Sequence, residues 1–331
     1  MDILLFDRLV PEAQAWLEAR HTLACRTALA ADPVALLKGI ADACAVVLPR
    51  KVVVTQDFLD QGPRLKAIAR MHAGTDDTDL EACRARQVRV IQASTANVRS
   101  NAEYLLATLL MLYRRGIDAS LAGLRHAEIR MGRELNGSIV GLMGLAPTAH
   151  TLATLLRGLG VRLIGYDPAV HHSSPIWQRL KIQPVGLHEL MAFSDAVSVQ
   201  ILYASRYHGF INDKLLAHCK PGQLWVGISR SSLFDAAALA RALGDGRIEA
   251  CVLDGAEAGF AAKGSPLHEA RNLYLTPRLG SYTRESRVRA SWYVAHRIHE
   301  TLAEAAANGA SAAPGASSLL ADELALEEMP R

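Results

Sequence analysis

The sequence predicts an α/β protein made of two open parallel-sheet domains with a cleft between them. At 331 residues, the chain exceeds the roughly 250–300 residues at which a single hydrophobic core stops growing. Short apolar runs alternate with amphipathic helical segments almost throughout, which is typical of parallel sheets with crossover helices. Half of the residues are hydrophobic and 21% are charged, which is the balance of a well-packed globular protein.

The first hundred residues contain four short apolar segments separated by helical segments such as Val34–Ala43. The four strand candidates are Ile3–Phe6, Ala45–Leu48, Leu65–Arg70 and Val88–Gln92. A long helix is then predicted from Ser100 to Arg115, with Ser100 as its N-cap and Glu103 as the capping partner three residues later. These elements predict one open α/β domain followed by a helix long enough to connect two domains.

A second series of strands and helices begins at Ser138–Met143. Its further strand candidates are Val161–Tyr166, Ala196–Ile201, Leu224–Ile228 and Ala250–Leu253. A helical stretch from Arg284 to about Ala306 is long enough to return to the first domain. We therefore expect one domain from residues 1–98 with about 285–306, a second from residues 99–284, and a flexible tail over residues 307–331.

Charge and cysteine content exclude several classes of function. The formal net charge is +3 and is spread along the chain, so no basic surface for nucleic acid is indicated. The five cysteines are far apart and form no CxxC pair, so we expect neither a disulfide framework nor a metal site. With no leader-like N-terminus and no apolar run of about 18 residues, neither export nor a membrane span is expected. These features favour a cytoplasmic protein.

The most specific local pattern is SIVGLMGLAPTAHTLATLLRGLGVRLIGYD, which begins at Ser138. It predicts a strand, a glycine-bearing turn, a helix and a second strand that ends at an acid, which is the setting of a dinucleotide fingerprint in a Rossmann-like domain. Gly144, Ala146 and Ala149 occupy the three fingerprint positions. Because Ala146 adds a methyl group and Pro147 has no N–H, we expect weakened phosphate binding. A turn that folds without any ligand is the alternative.

Asp167 lies 23 residues after Gly144. A carboxylate at this place accepts hydrogen bonds from ribose hydroxyls and repels a 2′-phosphate, so NAD(H) is preferred over NADP(H). The alternative is that Asp167 and Pro168 simply start a turn after the strand.

Several segments together resemble the D-isomer-specific 2-hydroxyacid dehydrogenases, which include phosphoglycerate dehydrogenase and hydroxypyruvate reductases. They include LKAIARMHAGTDDTDLEAC, GRELNGSIVGLMG, KPGQLWVGISRSSLFDAAAL and LYLTPRLGSYT, and the similarity extends to about residue 305. The resemblance implies two Rossmann-like or flavodoxin-like domains. It also implies hydride transfer between a nicotinamide and C2 of a 2-hydroxy or 2-oxo acid, and a homodimer formed through the cofactor domains and the long helix.

The resemblance assigns roles residue by residue. Arg230, in the segment GISRSS, matches the arginine that holds the substrate carboxylate. The turn formed by Ala73, Gly74 and Thr75 matches the loop whose backbone N–H groups face that carboxylate. The remaining cofactor-binding candidates are Gly144, Ala146, Pro147, Thr148, Asp167, Gln200, Ile228 and Asp254.

The acid–base pair of the resembled family is missing from this chain. Arg278 stands where the family has its proton-donating histidine, and arginine stays charged at physiological pH. Gly259 stands five residues after Asp254, where the family has the glutamate that pairs with the histidine. Glu257 is interpreted as an exposed loop acid. Among other candidate donors, Tyr282 is favoured because it lies four residues after Arg278.

Two hypotheses of function follow. The first is an NAD-dependent oxidoreductase that acts on a small 2-oxo or 2-hydroxy acid or a related anion, with Arg230 holding the anion. Loss of a positioned acid or base typically costs about 10²- to 10⁴-fold in rate, so low or altered activity is expected. The second is a catalytically inactive protein that binds NAD(H) or a small acid and regulates another process.

Overall fold

The computed structural model describes residues 1–50, 52–72, 74, 77–117, 119–120, 130–202 and 204–310. The chain forms two compact units. Of the described residues, the first unit contains those of 1–92 and 291–310, and the second contains those of 93–290. The predicted tail, residues 307–331, lies outside the described residues from 311 onward.

The first unit contains a parallel sheet whose strands, in the described ranges, follow the order β2-β1-β3-β4-β5. The strands are β1 (Ile3–Leu5), β2 (Leu23–Cys25), β3 (Ala45–Val47), β4 (Ala67–Arg70) and β5 (Arg89–Gln92). The helices are α1 (Pro11–Glu18), α2 (Pro33–Ile40), α3 (Gln56–Gln61) and α4 (Leu80–Ala85). β1, β3 and β4 are buried along their whole length, as expected of parallel strands covered on both faces.

The second unit contains a larger parallel sheet with the strand order β12-β11-β10-β9-β6-β7-β8. Its strands are β6 (Ile139–Met143), β7 (Arg162–Tyr166), β8 (Gln183–Pro184), β9 (Ala196–Val199), β10 (Gln223–Gly227), β11 (Ile248–Asp254) and β12 (Leu273–Thr276). Its helices are α5 (Val98–Tyr113), α6 (Pro147–Gly158), α7 (Pro175–Leu180), α8 (Leu187–Phe193), α9 (Asp213–Leu216) and α10 (Ala236–Gly244). Both sheets confirm the predicted α/β class with two parallel-sheet domains.

A last helix, α11 (Arg284–Ala310), contributes residues to both units, because the division at Ser291 falls within it. Its residues in the first unit make hydrogen bonds there. The Ser291 hydroxyl accepts from the Val10 N–H at 3.0 Å, and Glu304 pairs with Arg89 at 2.7 Å. The first unit therefore depends on chain from both sides of the second.

Two details of the elements differ from the sequence-based expectations. The N-cap of α5 is Asn97 and not Ser100, whose hydroxyl instead donates to the Asn97 carbonyl at 3.0 Å. Glu103 pairs with Arg99 at 2.5 Å and does not cap the helix. The strands β2, β8 and β12 were not predicted, because each lies at an edge of its sheet and is only partly buried, so it lacks the continuous apolar run of the inner strands.

None of the helices in the described ranges combines the length and the apolar character that crossing a lipid bilayer would require.

Candidate functional site

The turn after β6 is built around Gly144. Its backbone has a φ of +104°, and an added Cβ would lie 2.6 Å from the backbone of Gln200 and Ile201. The Gly144 N–H donates to the Tyr166 carbonyl at 2.8 Å. Only glycine fits both this conformation and this close approach. The turn therefore brings the carboxyl ends of β6, β7 and β9 close together.

Helix α6 starts directly after this turn, with Ala146 as N-cap and Pro147 in its first turn. Proline suits the first turn of a helix, because its φ is already helical and its missing N–H would have no partner in the helix. Thr148 is 6% exposed and Ala149 is fully buried against the core. The Ala149 N–H already donates to the Ala146 carbonyl at 2.7 Å. The helix start is well formed, but it offers an anion fewer N–H groups than a glycine-rich turn does.

Asp167 follows β7 and reaches the same turn. One carboxylate oxygen accepts from the Leu145 N–H at 2.6 Å and the other from the Ala169 N–H at 2.7 Å. A carboxylate has about four acceptor positions, so this one keeps capacity for ligand hydroxyls. Asp167 both fixes the turn and presents negative charge next to it.

A cavity of about 680 Å³ opens at the carboxyl end of β7, within the second unit. Asp167, His171, Trp177 and Glu189 contribute to its walls. Its volume lies in the range of about 300–1,000 Å³ that is typical of small-molecule sites. Asp167 therefore stands between the turn of Gly144 and a cavity large enough for part of a nucleotide.

Gln200 lies on the other side of the turn, directly after β9, and is 2% exposed. Its Nε2 donates to the Ser198 hydroxyl at 3.1 Å, whereas its Oε1 is buried without a hydrogen bond from any described residue. A buried acceptor without a partner is costly and often marks a ligand contact. Nearby, Ile228 donates its N–H to the Val199 carbonyl at 3.3 Å. These residues fit a nucleotide bound along the strand ends.

Asp254 ends β11 and organises the loop after β12. One of its oxygens accepts from the Thr276 hydroxyl at 2.6 Å and from the Leu279 N–H at 2.7 Å. The other accepts from the Gly280 N–H at 2.9 Å. The Thr276 hydroxyl also contacts the Tyr104 hydroxyl at 2.6 Å. A 6% exposed carboxylate thus fixes the loop that carries Arg278.

Arg278 has a left-handed backbone with a φ of +61°. Its side chain lies over Gly255, where an added Cβ would be 2.6 Å from the arginine Cγ. Left-handed geometry is uncommon for a residue other than glycine and is often found at functional sites.

The two other residues predicted around the missing acid–base pair make few contacts. Tyr282, four residues after Arg278, is 86% exposed. Gly259 has a φ of +90°, and no described heavy atom lies within 4 Å of its added Cβ.

Arg230 follows β10, and Glu257 follows the neighbouring strand β11. The Glu257 carboxylate accepts from the Ser231 hydroxyl and, at 3.3 Å, from the Ser232 N–H. Its other oxygen lies 4.0 Å from Nε of Arg230. The interpretation of Glu257 as an exposed loop acid is therefore wrong, because the side chain is only 34% exposed and is bonded to the turn after Arg230. The sequence signal that could have identified Glu257 is that it is the only charged residue between positions 255 and 262.

In the first unit, Arg70 is a feature that sequence reasoning missed. Its side chain is completely buried and donates to the carbonyls of Pro49, Val52 and Asp77 at 2.7–3.1 Å, and to the Thr78 hydroxyl at 3.0 Å. Burial lowers the pKa of its guanidinium below the usual value. A single arginine thus ties together the loops that follow β3 and β4.

The predicted substrate loop lies in the second of these two loops. Gly74 is described, and its carbonyl accepts from Nε2 of Gln92 at 2.9 Å. Ala73 and Thr75 lie outside the described residues. The structure therefore places Gly74 after β4, while Arg230, Arg278 and the nucleotide-binding candidates belong to the second unit.

Comparisons with known proteins agree with this arrangement. Residues 106–280 match the family model of the D-isomer specific 2-hydroxyacid dehydrogenase, NAD binding domain. The D-3-phosphoglycerate dehydrogenase of Mycobacterium tuberculosis is 34% identical over 305 residues, covering 91% of this chain and 57% of the relative. This chain thus spans little more than half the length of that protein. The (S)-sulfolactate dehydrogenase of Chromohalobacter salexigens is 30% identical over 305 residues, covering 91% of this chain and 98% of the relative.

Solved structures show the same fold. The TT0316 protein of Thermus thermophilus superposes with a TM-score of 0.79 at 24% identity, covering 92% of this chain and 97% of that one. The NAD⁺-bound 3-phosphoglycerate dehydrogenase of Entamoeba histolytica gives a TM-score of 0.72 at 19% identity, covering 92% and 96%. The matched domain model covers more than half of the chain. The sulfolactate dehydrogenase aligns with 91% of this chain over 98% of its own length. The chain therefore belongs to the D-isomer-specific 2-hydroxyacid dehydrogenase family.

Proposed function

We propose that the chain is an NAD-dependent oxidoreductase that acts on a small 2-oxo or 2-hydroxy acid or a related anion. The observation that carries this proposal is the turn after β6, in which Gly144 has a positive φ and the Asp167 carboxylate accepts from the Leu145 N–H. Nucleotide binding is the property of the matched family domain. The relatives named above act, by their names, on phosphoglycerate and sulfolactate, and both are small hydroxy acids.

In this proposal, the second unit binds the cofactor along the strand ends. Asp167 accepts the ribose hydroxyls and disfavours a 2′-phosphate, so NAD(H) is preferred over NADP(H). The buried Oε1 of Gln200 gains a hydrogen-bond donor, while Ala146, Pro147 and Thr148 lie beside the phosphates with weakened affinity. Ile228 and Asp254 complete the site. A bound nicotinamide supplies hydride chemistry.

Arg230 binds the substrate carboxylate. A guanidinium is suited to this task because its planar N–H groups make a bidentate pair with a carboxylate. Arg278 stabilises negative charge and cannot exchange a proton at neutral pH, and Tyr282 is the side-chain candidate for proton transfer. The expected activity on common 2-oxo acids is low, since a positioned acid or base normally contributes about 10²- to 10⁴-fold.

A catalytically inactive NAD(H)- or acid-binding regulatory protein is the second candidate. Arg278 at the position of the proton donor and Gly259 at the position of its partner acid favour this candidate. The double variant Arg278→His and Gly259→Glu, which restores the family's acid–base pair, distinguishes the enzyme from the binding protein. A gain of activity on hydroxypyruvate or glyoxylate identifies a lapsed or slowed enzyme, whereas no gain favours a binding protein.

The nucleotide test is a fluorescence titration with NADH and NADPH, checked by calorimetry. We expect micromolar affinity for NADH and much weaker affinity for NADPH. Asp167→Asn is expected to reduce the difference between the NADH and NADPH affinities, because it removes the charge that repels a 2′-phosphate. Glu189→Gln, at another wall of the same cavity, is the matched control and preserves the preference. Failure of both nucleotides to bind at millimolar concentration contradicts the oxidoreductase proposal.

We also propose a cytoplasmic homodimer. Helix α5 carries two apolar side chains that are well exposed in one chain, Leu110 at 40% and Met111 at 44%. A dimer that packs through α5 would bury both side chains, which supports this proposal. Light scattering is expected to give twice the mass of one chain, and a monomer at micromolar concentration contradicts the proposal.

A further inference from the structure

Arg230 and Glu257 form a fixed pair of opposite charges at two adjacent strand ends. β10 and β11 are neighbours in the sheet, and each of the two residues lies three positions beyond the end of its strand. The Glu257 N–H donates to the Ser231 hydroxyl at 2.9 Å, and that hydroxyl in turn donates to the Glu257 carboxylate. The acid is therefore held to the turn that carries the arginine, and both belong to the second unit.

One oxygen of Glu257 has an unused hydrogen-bonding position. Oε2 accepts from Ser231 and Ser232, but Oε1 is shielded from solvent and accepts no hydrogen bond from any described residue. It lies 4.0 Å from Nε of Arg230, which is beyond hydrogen-bond distance. A shielded carboxylate oxygen that lacks a donor favours a ligand that brings one, and a positively charged N–H group is the strongest donor for it.

The two charges select a particular kind of ligand. A simple 2-oxo acid offers a carboxylate to Arg230 but only further acceptor oxygens to Glu257, so it meets repulsion there. A ligand that carries a carboxylate and a protonated nitrogen on the adjacent carbon matches both charges. Such a ligand places its carboxylate on Arg230 and its N–H on Oε1 of Glu257.

We propose that the substrate class is a 2-imino acid, the protonated imine of a 2-oxo acid and an amine, recognised by Arg230 and Glu257. This inference rests on the proposed oxidoreductase function and specifies its substrate. Glu257 is then a binding residue that selects the nitrogen, a role separate from the acid–base pair that Arg278 and Gly259 replace.

The chemistry of an imine also agrees with the missing proton donor. Reduction of a 2-oxo acid forms an alkoxide that needs a proton on oxygen, which is the task of a general acid. In a protonated imine, C2 accepts a hydride from a reduced nicotinamide, and the C=N π electrons become the lone pair of a neutral amine. The nitrogen keeps the protons that it already carries, and the free amine later takes one from water. No side chain has to donate a proton.

The first test measures binding to the NADH-loaded protein. N-Methylalanine and lactate share the same three-carbon acid chain, and N-methylalanine carries a methylammonium group on C2 where lactate carries a hydroxyl, so their affinities report on Glu257. We expect N-methylalanine to bind at least about tenfold more tightly, since its ammonium brings a positive charge to the Glu257 carboxylate, whereas the hydroxyl of lactate is neutral. Glu257→Gln is expected to remove this preference while the affinity for NADH is unchanged. Glu269→Gln, an exposed acid in the same loop region, is the control that retains it.

The second test measures NADH oxidation with pyruvate in the presence and absence of methylamine, with the product identified by mass spectrometry. We expect methylamine to raise the rate at least tenfold and N-methylalanine to be the product. Lactate formation that methylamine does not change overturns this inference and leaves the proposed oxidoreductase function intact. Equal affinities for the two acids, or a preference that survives Glu257→Gln, also overturn it. If NADH itself does not bind, both proposals fail.

Discussion

At the scale of single residues, Gly144 gives the sharpest prediction. In Gly144→Ala the new methyl group would lie 2.6 Å from the backbone after β9, at a φ of +104°. We expect a loss of roughly 1–3 kcal/mol in the free energy of unfolding, as is usual for a strained backbone position. NADH affinity should also fall, because the turn must move. Denaturant titration and nucleotide fluorescence measure the two effects.

The control for this change is Gly158→Ala, at the last residue of α6, the helix that follows the turn of Gly144. No described heavy atom lies within 4 Å of the added Cβ there, and its φ is not positive. Because alanine favours a helix by up to about 1 kcal/mol over glycine, this variant should be unchanged or slightly more stable. Equal destabilisation of both variants would contradict the role assigned to Gly144.

At the scale of elements, the carboxylate of Asp254 holds the loop after β12. Asp254→Asn replaces an acceptor oxygen with an N–H₂ group, so at least one of the bonds to Thr276, Leu279 and Gly280 is lost. Hydrogen bonds to a charged group contribute about 1.5–3 kcal/mol, and we expect a loss of that order. Asp245→Asn, which changes an exposed carboxylate paired with Arg247, should have a much smaller effect.

The mobility of the loop after β12 can be measured directly in Asp254→Asn. Arg278 is exposed and is followed by two N–H groups that Asp254 holds. Limited trypsin digestion should therefore cut after Arg278 faster in Asp254→Asn than in the wild type. If the cleavage rate does not change, the loop is fixed by contacts other than those of Asp254.

At the scale of the whole molecule, a contact between α11 and the first unit makes the free energy of unfolding depend on pH. Nε2 of His21, after α1, lies 2.9 Å from Nδ1 of His299 on α11. The pKa of His21 is lowered, chiefly by burial and then by the charge of His299, with a smaller contribution from Arg20 and opposition from Asp2. The folded chain thus favours neutral His21. As the pH falls below about 6.5, the unfolded chain takes up a proton that the folded chain resists, and stability decreases.

We therefore expect the free energy of unfolding to fall between pH 7 and pH 5. One proton limits the slope to about 1.4 kcal/mol per pH unit, and the partial solvent exposure of the pair keeps it well below that limit. His21→Gln should flatten the slope in this window, whereas His208→Gln, exposed in the second unit, should retain it. An unchanged slope in His21→Gln would show that the contact with α11 does not sense pH. The lowered pKa values of Asp2 and Asp195 affect stability only near or below 3.8.

The sequence was sufficient for the fold class and for the turn of Gly144, because both are encoded locally. The alternation of apolar strands and helices indicates parallel sheets, and the spacing from Gly144 to Asp167 spans one strand–helix–strand unit. The bond between Glu257 and Ser231 joins residues 26 positions apart and exists because β10 and β11 are neighbours. Arg70 was missed for a similar reason, since its partners belong to two separate loops. No local pattern encodes such contacts.

Helix α11 also has a consequence for the order in which the protein is made. Residues 1–92 are synthesised before the second unit, but the helix that supplies Ser291, His299 and Glu304 to the first unit is synthesised after it. Residues 93–290 form the second unit without that segment, and domains generally fold as units during synthesis. The sheet of the first unit is therefore completed only after the whole second unit has been synthesised, although most of its residues precede that unit in the sequence.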